Sequence, residues 1–165
     1  EIVSRDWSSD VCSSDLAAWE GHVQMVDFLL AQGARVQRRN NVRETALMYA
    51  ALKGHLEIVK KLHARGGEIN HEGWSALHYC AAEGRLEVCQ YLLDQKADID
   101  AASPNGTTPL MMAARQGHFD VVKLLLWEHA DPQRKSESGQ TALSMALRGG
   151  FEQAAQLIRD AGARE

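Results

Sequence analysis

Seven histidines and three cysteines are the residues of this chain best suited to chemistry, because imidazole and thiolate groups bind metal ions and act as bases or nucleophiles. The densest group is His71, His78 and Cys80. Residues two apart on a helix, such as His78 and Cys80, diverge by about 200° around its axis. The sequence also lacks Cys-x-x-Cys and His-Glu-x-x-His, the spacings typical of zinc sites. We predict no metal site, and binding of a metal or small ligand by residues 71–80 stays open as a hypothesis.

Sequence patterns of nucleophilic or phosphate chemistry are also absent. There is no Gly-x-Ser-x-Gly, no phosphate-binding loop and no Gly-x-Gly-x-x-Gly, the motifs that place a reactive serine or cradle a phosphate. Asp98 and Asp100 alternate along a short segment that is predicted to be extended and solvated. We therefore predict a protein that is not an enzyme, has no catalytic residues and needs no cofactor.

The elements that must carry these side chains repeat along the chain. A helix-breaking glycine recurs at Gly21, Gly54, Gly84, Gly117 and Gly150. The interval between them is constant except between Gly54 and Gly84, where it is shorter. Nine residues before each of the last four lies a hydroxyl residue suited to cap a helix, namely Thr45, Ser75, Thr108 and Thr141. A second, more apolar helix is predicted after each glycine. Such self-similarity indicates a stack of helical pairs, each burying its apolar side against the next.

The details of each copy resemble ankyrin repeats. The resemblance lies in openings such as Thr108-Pro-Leu-Met, in Gly117-His118 before the second helix, and in endings such as Ala97-Asp-Ile-Asp. It covers residues 17–163 and implies an all-α solenoid of helix-turn-helix units with β-turn fingers. The implied repeats are about 17–39, 40–69, 70–100, 101–132 and 133–165. Helices are expected at 23–31, 45–53, 56–64, 75–83, 86–94, 108–116, 119–128, 141–148 and 152–160.

The resemblance also assigns roles to histidines and cysteines. His22, His55 and His118 follow the inter-helix glycine, and His78 lies in the opening motif. In ankyrin repeats such histidines are structural and bond to backbone across the turn or between repeats. Cys80 and Cys89 lie at inward-facing positions, and we expect them to be buried as small apolar residues with no paired framework.

The beginning of the chain, from Glu1 to Leu16, does not fit the repeat. Residues 6–16, Asp-Trp-Ser-Ser-Asp-Val-Cys-Ser-Ser-Asp-Leu, look like a translated sequencing-adapter oligonucleotide, so residues 1–16 are interpreted as a non-native leader. The native N-terminus, any signal peptide and any further domain are then open. At the other end, Gln153, Gln156 and Arg159 predict a polar outer face, as a terminal repeat needs.

Composition limits the kinds of partner. The net charge of -4 provides no basic field for nucleic acid or an anionic membrane. Apolar runs such as Leu124 to Trp127 are far too short to cross a bilayer. We expect a soluble monomer, in the cytoplasm or else in the periplasm or outside the cell, whose partner is another protein.

Recognition is the remaining function, and the resemblance places it on the concave face formed by the first helices and fingers. The exposed positions predicted there are Tyr49, Lys53, Trp74, Tyr79, Glu83, Met112, Arg115, Gln116, Met145 and Arg148. Aromatic, Met and Arg side chains are enriched in protein interfaces, although one such residue per repeat could equally pack against the neighbouring repeat. Trp74 is the preferred anchor, because the shortened interval between Gly54 and Gly84 predicts a shorter finger beside it.

Two interpretations of function follow. The first is a non-catalytic module that binds a protein through the concave face, with charges running from Glu72 and Glu83 to Arg115 and Arg148. The alternative is a regulatory or targeting segment of a larger, truncated enzyme or effector.

Overall fold

The computed structural model describes residues 13–41 and 43–163, and this part of the chain is all α-helical, with no strand. The helices are α1 (Ser13–Glu20), α2 (Val23–Ala31), α3 (Ala46–Lys53), α4 (Leu56–Ala64), α5 (Ala76–Ala82), α6 (Leu86–Asp94), α7 (Pro109–Gln116), α8 (Phe119–Trp127), α9 (Ala142–Arg148) and α10 (Glu152–Asp160). The predicted all-α repeat solenoid is confirmed. Differences from the predicted bounds are one residue at a helix end, largely because the capping residue itself is not helical.

Helices α3, α7 and α9 begin with hydroxyl caps, as predicted. The Oγ1 atoms of Thr45 and Thr108 accept hydrogen bonds from backbone N–H groups three residues on, both at 3.4 Å, and Thr141 does so at 3.2 Å. Pro109 takes the first position of α7, where a missing N–H costs no hydrogen bond. Each cap therefore satisfies a donor that the helix leaves unpaired.

Helices α3 and α7 end at left-handed glycines. Gly54 and Gly117 close α3 and α7 with φ of +83° and +75°, a conformation that glycine adopts without steric cost. A Cβ atom on Gly117 would also collide with the ring of Phe151 in a later pair. The glycine is thus required both by its own backbone and by the stack.

The helices form two layers with the core between them. The first helices of the pairs, α1, α3, α5, α7 and α9, pack side by side, and the second helices, α2, α4, α6, α8 and α10, form the other layer. The large side chains that are fully buried between the layers include Leu47, Ile58, Leu62, Leu77, Leu92, Leu110, Leu125, Leu143 and Ile158. The core is a continuous ribbon shared by successive pairs, as expected of a solenoid.

Three of the connections between pairs are hydrogen-bonded turns, which we call fingers. In the finger at 40–44 the N–H of Asn40 donates to the carbonyl of Glu44 at 3.0 Å. Equivalent bonds join Ser103 N to Thr107 O at 3.0 Å and Ser136 N to Gln140 O at 2.9 Å. The connection at 67–75 has no equivalent backbone hydrogen bond. This shorter connection lies where the reduced spacing of the glycines predicts a short finger.

The expectation that Cys80 and Cys89 are unpaired is wrong. Both are fully buried, as predicted, but they form a disulfide between α5 and α6, with their Cα atoms 5.7 Å apart, in the range that a disulfide requires. The reason is the turn at Gly84, which folds α6 back on α5 so that two inward-facing positions meet. Their spacing of nine residues along the chain does not show this.

The leader predicted for residues 1–16 lies largely outside the described residues. Ser13 to Leu16 form the start of α1, and Asp15 and Ala18 are 2% and 0% exposed. The start of α1 is therefore part of the stack, whatever the origin of its sequence. At the other end, Gln153 and Gln156 are exposed on α10 and Arg159 is half-buried.

Candidate partner-binding surface

We define the first-helix surface as the solvent-facing side of the first helices together with the residue that precedes each cap. Of the predicted site residues, the exposed ones are Glu83, Arg115, Gln116 and Arg148, and the half-buried ones are Tyr49, Lys53, Trp74, Tyr79 and Met112. Met145 is only 7% exposed and belongs to the core. Its predicted exposure is wrong, because this flexible side chain packs into the core instead of facing solvent.

A carboxylate lies at the centre of the aromatic part of this surface. Oε2 of Glu44 accepts a hydrogen bond from the Tyr49 hydroxyl at 2.6 Å, and Oε1 accepts one from the Tyr79 hydroxyl. Asn40 Nδ2 donates to Oε2 at 3.3 Å. Glu44 thereby connects the finger before α3 with two neighbouring first helices. The sequence shows Glu44 as a residue preceding a cap, but it does not show these bonds.

The electrostatics of this cluster keep the carboxylate charged and the phenols neutral near pH 7. Burial raises the pKa of Glu44, but the hydrogen bonds from Tyr49, Tyr79 and Asn40 outweigh it, so that the pKa lies below its usual value. Burial, then the hydrogen bond to Glu44, raises the pKa of Tyr49 to about 12. The same two causes raise the pKa of Tyr79 further. Both hydroxyls therefore remain donors, and the two rings are held in place.

Aromatic rings continue on both sides of the carboxylate. The rings of Trp19 and Tyr49 meet edge to face with centroids 5.6 Å apart, and Nζ of Lys53 lies 3.9 Å from the Trp19 ring centroid. The ring of Trp74 lies 6.4 Å from that of Tyr79 and 5.3 Å from that of His78. We call Trp19, Tyr49, Tyr79 and Trp74 the aromatic run. Its members lie on α1, on α3, in the connection before α5 and on α5.

One end of the aromatic run borders a small cavity. A cleft of about 260 Å³ is lined by Asp15, Leu16, Trp19, Glu20 and Tyr49. Prediction missed Trp19 because it lies in the pair whose beginning was interpreted as non-native. Its position before Gly21, equivalent to that of Leu52 before Gly54, is the signal that could have identified it.

Comparison with known proteins identifies this architecture. The family described as "Ankyrin repeats (3 copies)" matches residues 15–103 and 95–164, which together cover most of the chain. The chain belongs to the ankyrin-repeat family. Ankyrin repeats generally mediate protein–protein interaction, and the family is generally non-catalytic.

Relatives of the ankyrin stack are larger proteins. Ankyrin repeat and KH domain-containing protein 1 from Homo sapiens is 38% identical over 99 residues, 57% of this chain and 4% of that protein. Ankyrin repeat and SOCS box protein 3 from Homo sapiens is 33% identical over 109 residues, 62% of this chain and 21% of that protein. Protein phosphatase 1 regulatory subunit 12A from Mus musculus is 36% identical over 72 residues, 42% of this chain and 7% of that protein. The chain thus matches a minor part of each relative's length.

Histidines hold adjacent ankyrin pairs together, which confirms the structural role expected of His55 and His118. Nε2 of His55 bonds to the carbonyl of Trp19 at 3.1 Å, and Nε2 of His118 bonds to that of Ala82 at 2.9 Å. Both carbonyls belong to the last turn of the preceding first helix. Arg85 takes the place of histidine in the pair between them and donates from Nε to the carbonyl of Leu52 at 3.1 Å. The sequence shows that this pair has no histidine at the position, but not that Arg85 makes the equivalent bond.

His78 is also structural in the ankyrin stack. Its Nδ1 accepts from the backbone N–H of Ser75 at 3.2 Å, and its Nε2–H donates to the carbonyl of Thr107 at 2.9 Å. These partners require the neutral imidazole with the proton on Nε2. Burial lowers the pKa of His78, consistent with this neutral form.

Contacts within the protein occupy the candidate ligand atoms of residues 71–80 except Nε2 of His71, which is buried without a hydrogen-bond partner among the described residues. Nδ1 of His71 accepts from Arg39 at 2.8 Å, both ring nitrogens of His78 are bonded, and the sulfur of Cys80 is in the disulfide. Among residues 13–41 and 43–163, no group of three or more His, Cys, Asp or Glu side chains could hold a metal ion. None of the helices in this part is both long enough and apolar enough to cross a bilayer.

Proposed function

We propose that this ankyrin stack binds a partner protein, without catalysis, through the first-helix surface. The observation that carries the proposal is the aromatic run, whose four side chains are each half-buried although they are fixed by ring contacts and by Glu44. Aromatic side chains fixed in this way present contact area at a low entropic cost, because they are ordered before the partner arrives.

Trp74 is the proposed anchor. Tryptophan is among the residues most enriched in interface hot spots, and Trp74 lies in the short connection at 67–75, where no hydrogen-bonded finger forms. Arg115 and Arg148 lie in the last turns of α7 and α9 and are exposed, so they would contact the partner farther along the stack. The other proposed contacts are Tyr49, Lys53, Tyr79, Glu83, Met112 and Gln116.

The experiment compares two double variants in affinity capture followed by mass spectrometry. The first, Trp74→Ala with Arg115→Ala, removes the proposed anchor and one charge from the first-helix surface. The matched control, Trp127→Ala with Lys123→Ala, removes the same kinds of group from α8, where Trp127 is 78% exposed. Circular dichroism verifies that both remain helical.

We expect the first variant to lose the specifically captured proteins and the control to retain them. Retention by the first variant, or equal loss by both, would count against the first-helix surface. Arg115→Ala alone, at an exposed position, is the milder variant if the first is unstable, and it should weaken capture where Lys123→Ala does not.

A second candidate function is that of a regulatory or targeting segment within a larger enzyme or effector. It is favoured by the small share of each relative that the chain matches, 4%, 21% and 7%, and by the name of one relative, a phosphatase regulatory subunit. Sequencing the intact transcript tests this proposal. A single open reading frame that joins the repeats to a catalytic domain supports it, and a frame that contains only ankyrin repeats contradicts it.

A further inference from the structure

The loop after α2 carries a charge opposite to that of the whole chain. Four arginines, Arg35, Arg38, Arg39 and Arg43, lie within nine residues, and no acidic residue occurs between Asp27 and Glu44. The full sequence has a net charge of -4. This concentration of positive charge belongs to neither the core nor the first-helix surface.

Arg35 and Arg38 face solvent beside the same depression and have no acidic partner among the described residues. Arg39 forms an ion pair with Glu68 at 3.6 Å and also bonds to His71. Arg35 and Arg38 are exposed, and neither forms an ion pair with a residue in the described part of the chain. They line, with Ala34 and Gln37, an open depression of about 680 Å³.

The backbone around these two arginines is held in place. Nε2 of Gln37 donates to the carbonyl of Gly66 in the next loop at 2.7 Å. The N–H of Arg38 donates to the carbonyl of Arg35 at 3.2 Å. The site therefore loses little backbone freedom when it binds a ligand.

Arg35 is basic at a position where each of the next three loops carries an acidic residue. It lies two residues after Gly33, whose φ is +83°. In the next three loops the corresponding left-handed residues are Gly66, Lys96 and His129, with φ of +89°, +67° and +71°. Two residues after each of them lies an acid, at Glu68, Asp98 and Asp131.

These loops lie side by side, so their charges form a row. Besides the bond from Gln37 to Gly66, the N–H of Asp98 donates to Asn70 Oδ1 at 2.7 Å, and the N–H of Asp131 donates to Asp100 Oδ1 at 3.0 Å. At this position the row is basic in its first loop and acidic in the next three, although the fourth loop also carries Arg134 and Lys135 farther along the chain. A long polyanion such as a nucleic acid, lying along the row, would be repelled beyond the first loop, whereas a short acidic segment would not.

We propose that Arg35 and Arg38 form a binding site for a short acidic peptide segment of a partner protein. Each guanidinium group can donate two parallel hydrogen bonds to one carboxylate of the peptide, the geometry in which arginine is most selective for carboxylates. The inference is independent of the first-helix surface, since it uses other residues and another ligand chemistry.

The test measures binding of a fluorescein-labelled peptide of alternating Glu and Gly by fluorescence anisotropy at low salt. The Gln/Gly peptide is the neutral ligand control, and single-stranded oligothymidylate is the polyanion control. The test variant is Arg35→Glu with Arg38→Glu. The matched variant is Lys123→Glu with Lys135→Glu, which reverses two exposed charges elsewhere in the stack and changes the net charge equally.

We expect the acidic peptide to bind the wild type and the matched variant alike, and the Arg35/Arg38 variant about tenfold more weakly. The Gln/Gly peptide should bind none of them. No detectable binding of the acidic peptide, or equal weakening in both variants, would overturn the proposal. Tighter binding of oligothymidylate than of the peptide would also overturn it, in favour of a nucleic-acid ligand. Arg35→Gln with Arg38→Gln repeats the test without added negative charge, and circular dichroism verifies folding.

Discussion

The hydroxyl of Tyr79 on α5 donates a hydrogen bond to Oε1 of Glu44, which lies 35 residues earlier, in the finger before α3. This bond connects two successive ankyrin pairs on the surface that we propose for partner binding. Because Glu44 also accepts from Tyr49, one carboxylate positions two aromatic rings.

Replacing Tyr79 with phenylalanine should therefore destabilise the stack. The variant keeps the ring but loses a charge-assisted hydrogen bond, and we expect the free energy of unfolding to fall by about 1–2 kcal/mol. Chemical denaturation measures the change. A double-mutant cycle with Glu44→Gln isolates the coupling, and additive effects of the two substitutions would show that these groups do not interact.

The same carboxylate should make stability depend on pH. The pKa of Glu44 is lower in the folded chain than its usual value, so its contribution is present above that usual value, about 4.3, and is lost as pH falls through the folded pKa. As the pH is lowered from about 5, we expect the Glu44→Gln variant to lose less stability than the wild type. Thermal unfolding at each pH measures the stability of both proteins. Parallel pH profiles of the two proteins would contradict this assignment.

The histidine bonds between pairs allow a rescue experiment. His118→Ala removes the bond to the Ala82 carbonyl and should lower the free energy of unfolding by about 1–2 kcal/mol. His118→Arg should restore most of this loss, because Arg85 makes the same type of bond in the preceding pair. The control is His22→Ala, because His22 was expected to be structural like His118 but its side chain is exposed, and its replacement should leave stability unchanged. Equal losses for alanine and arginine at position 118 would refute the shared role.

The disulfide predicts a difference between oxidised and reduced protein. Replacing both Cys80 and Cys89 with alanine removes a cross-link that closes a short loop. The free energy of unfolding should fall by about 2.5 kcal/mol, the chain-entropy estimate for such a loop. Alkylation of the unfolded, unreduced protein, read by peptide mass spectrometry, should leave both residues unmodified and linked in one peptide pair. Alkylation of both without reductant would show that the thiols are free, and the stability loss should then reflect side-chain packing alone.

Several features of this protein were set by local chemistry and were readable from the sequence. Thr45, Thr108 and Thr141 cap helices because the hydroxyl lies within reach of a nearby N–H. Gly54 and Gly117 end helices because a left-handed backbone favours glycine. Recurrence of these signals at a nearly fixed interval was enough to predict the pairs and their stacking. The repeat also predicted that Tyr49, Tyr79 and Trp74 reach the surface, and all three are half-buried.

Tertiary structure decided the contacts between residues that are distant in the chain or that face each other across a turn. The bond from Tyr79 to Glu44, the pairing of Cys80 with Cys89 and the burial of Met145 each depend on how side chains on adjacent helices meet. Periodicity shows on which face a residue lies, but not which atoms are within bonding distance once the helices pack. The sequence by itself therefore determined the ankyrin stack, and only the packed structure determined the bonds that hold its candidate surface.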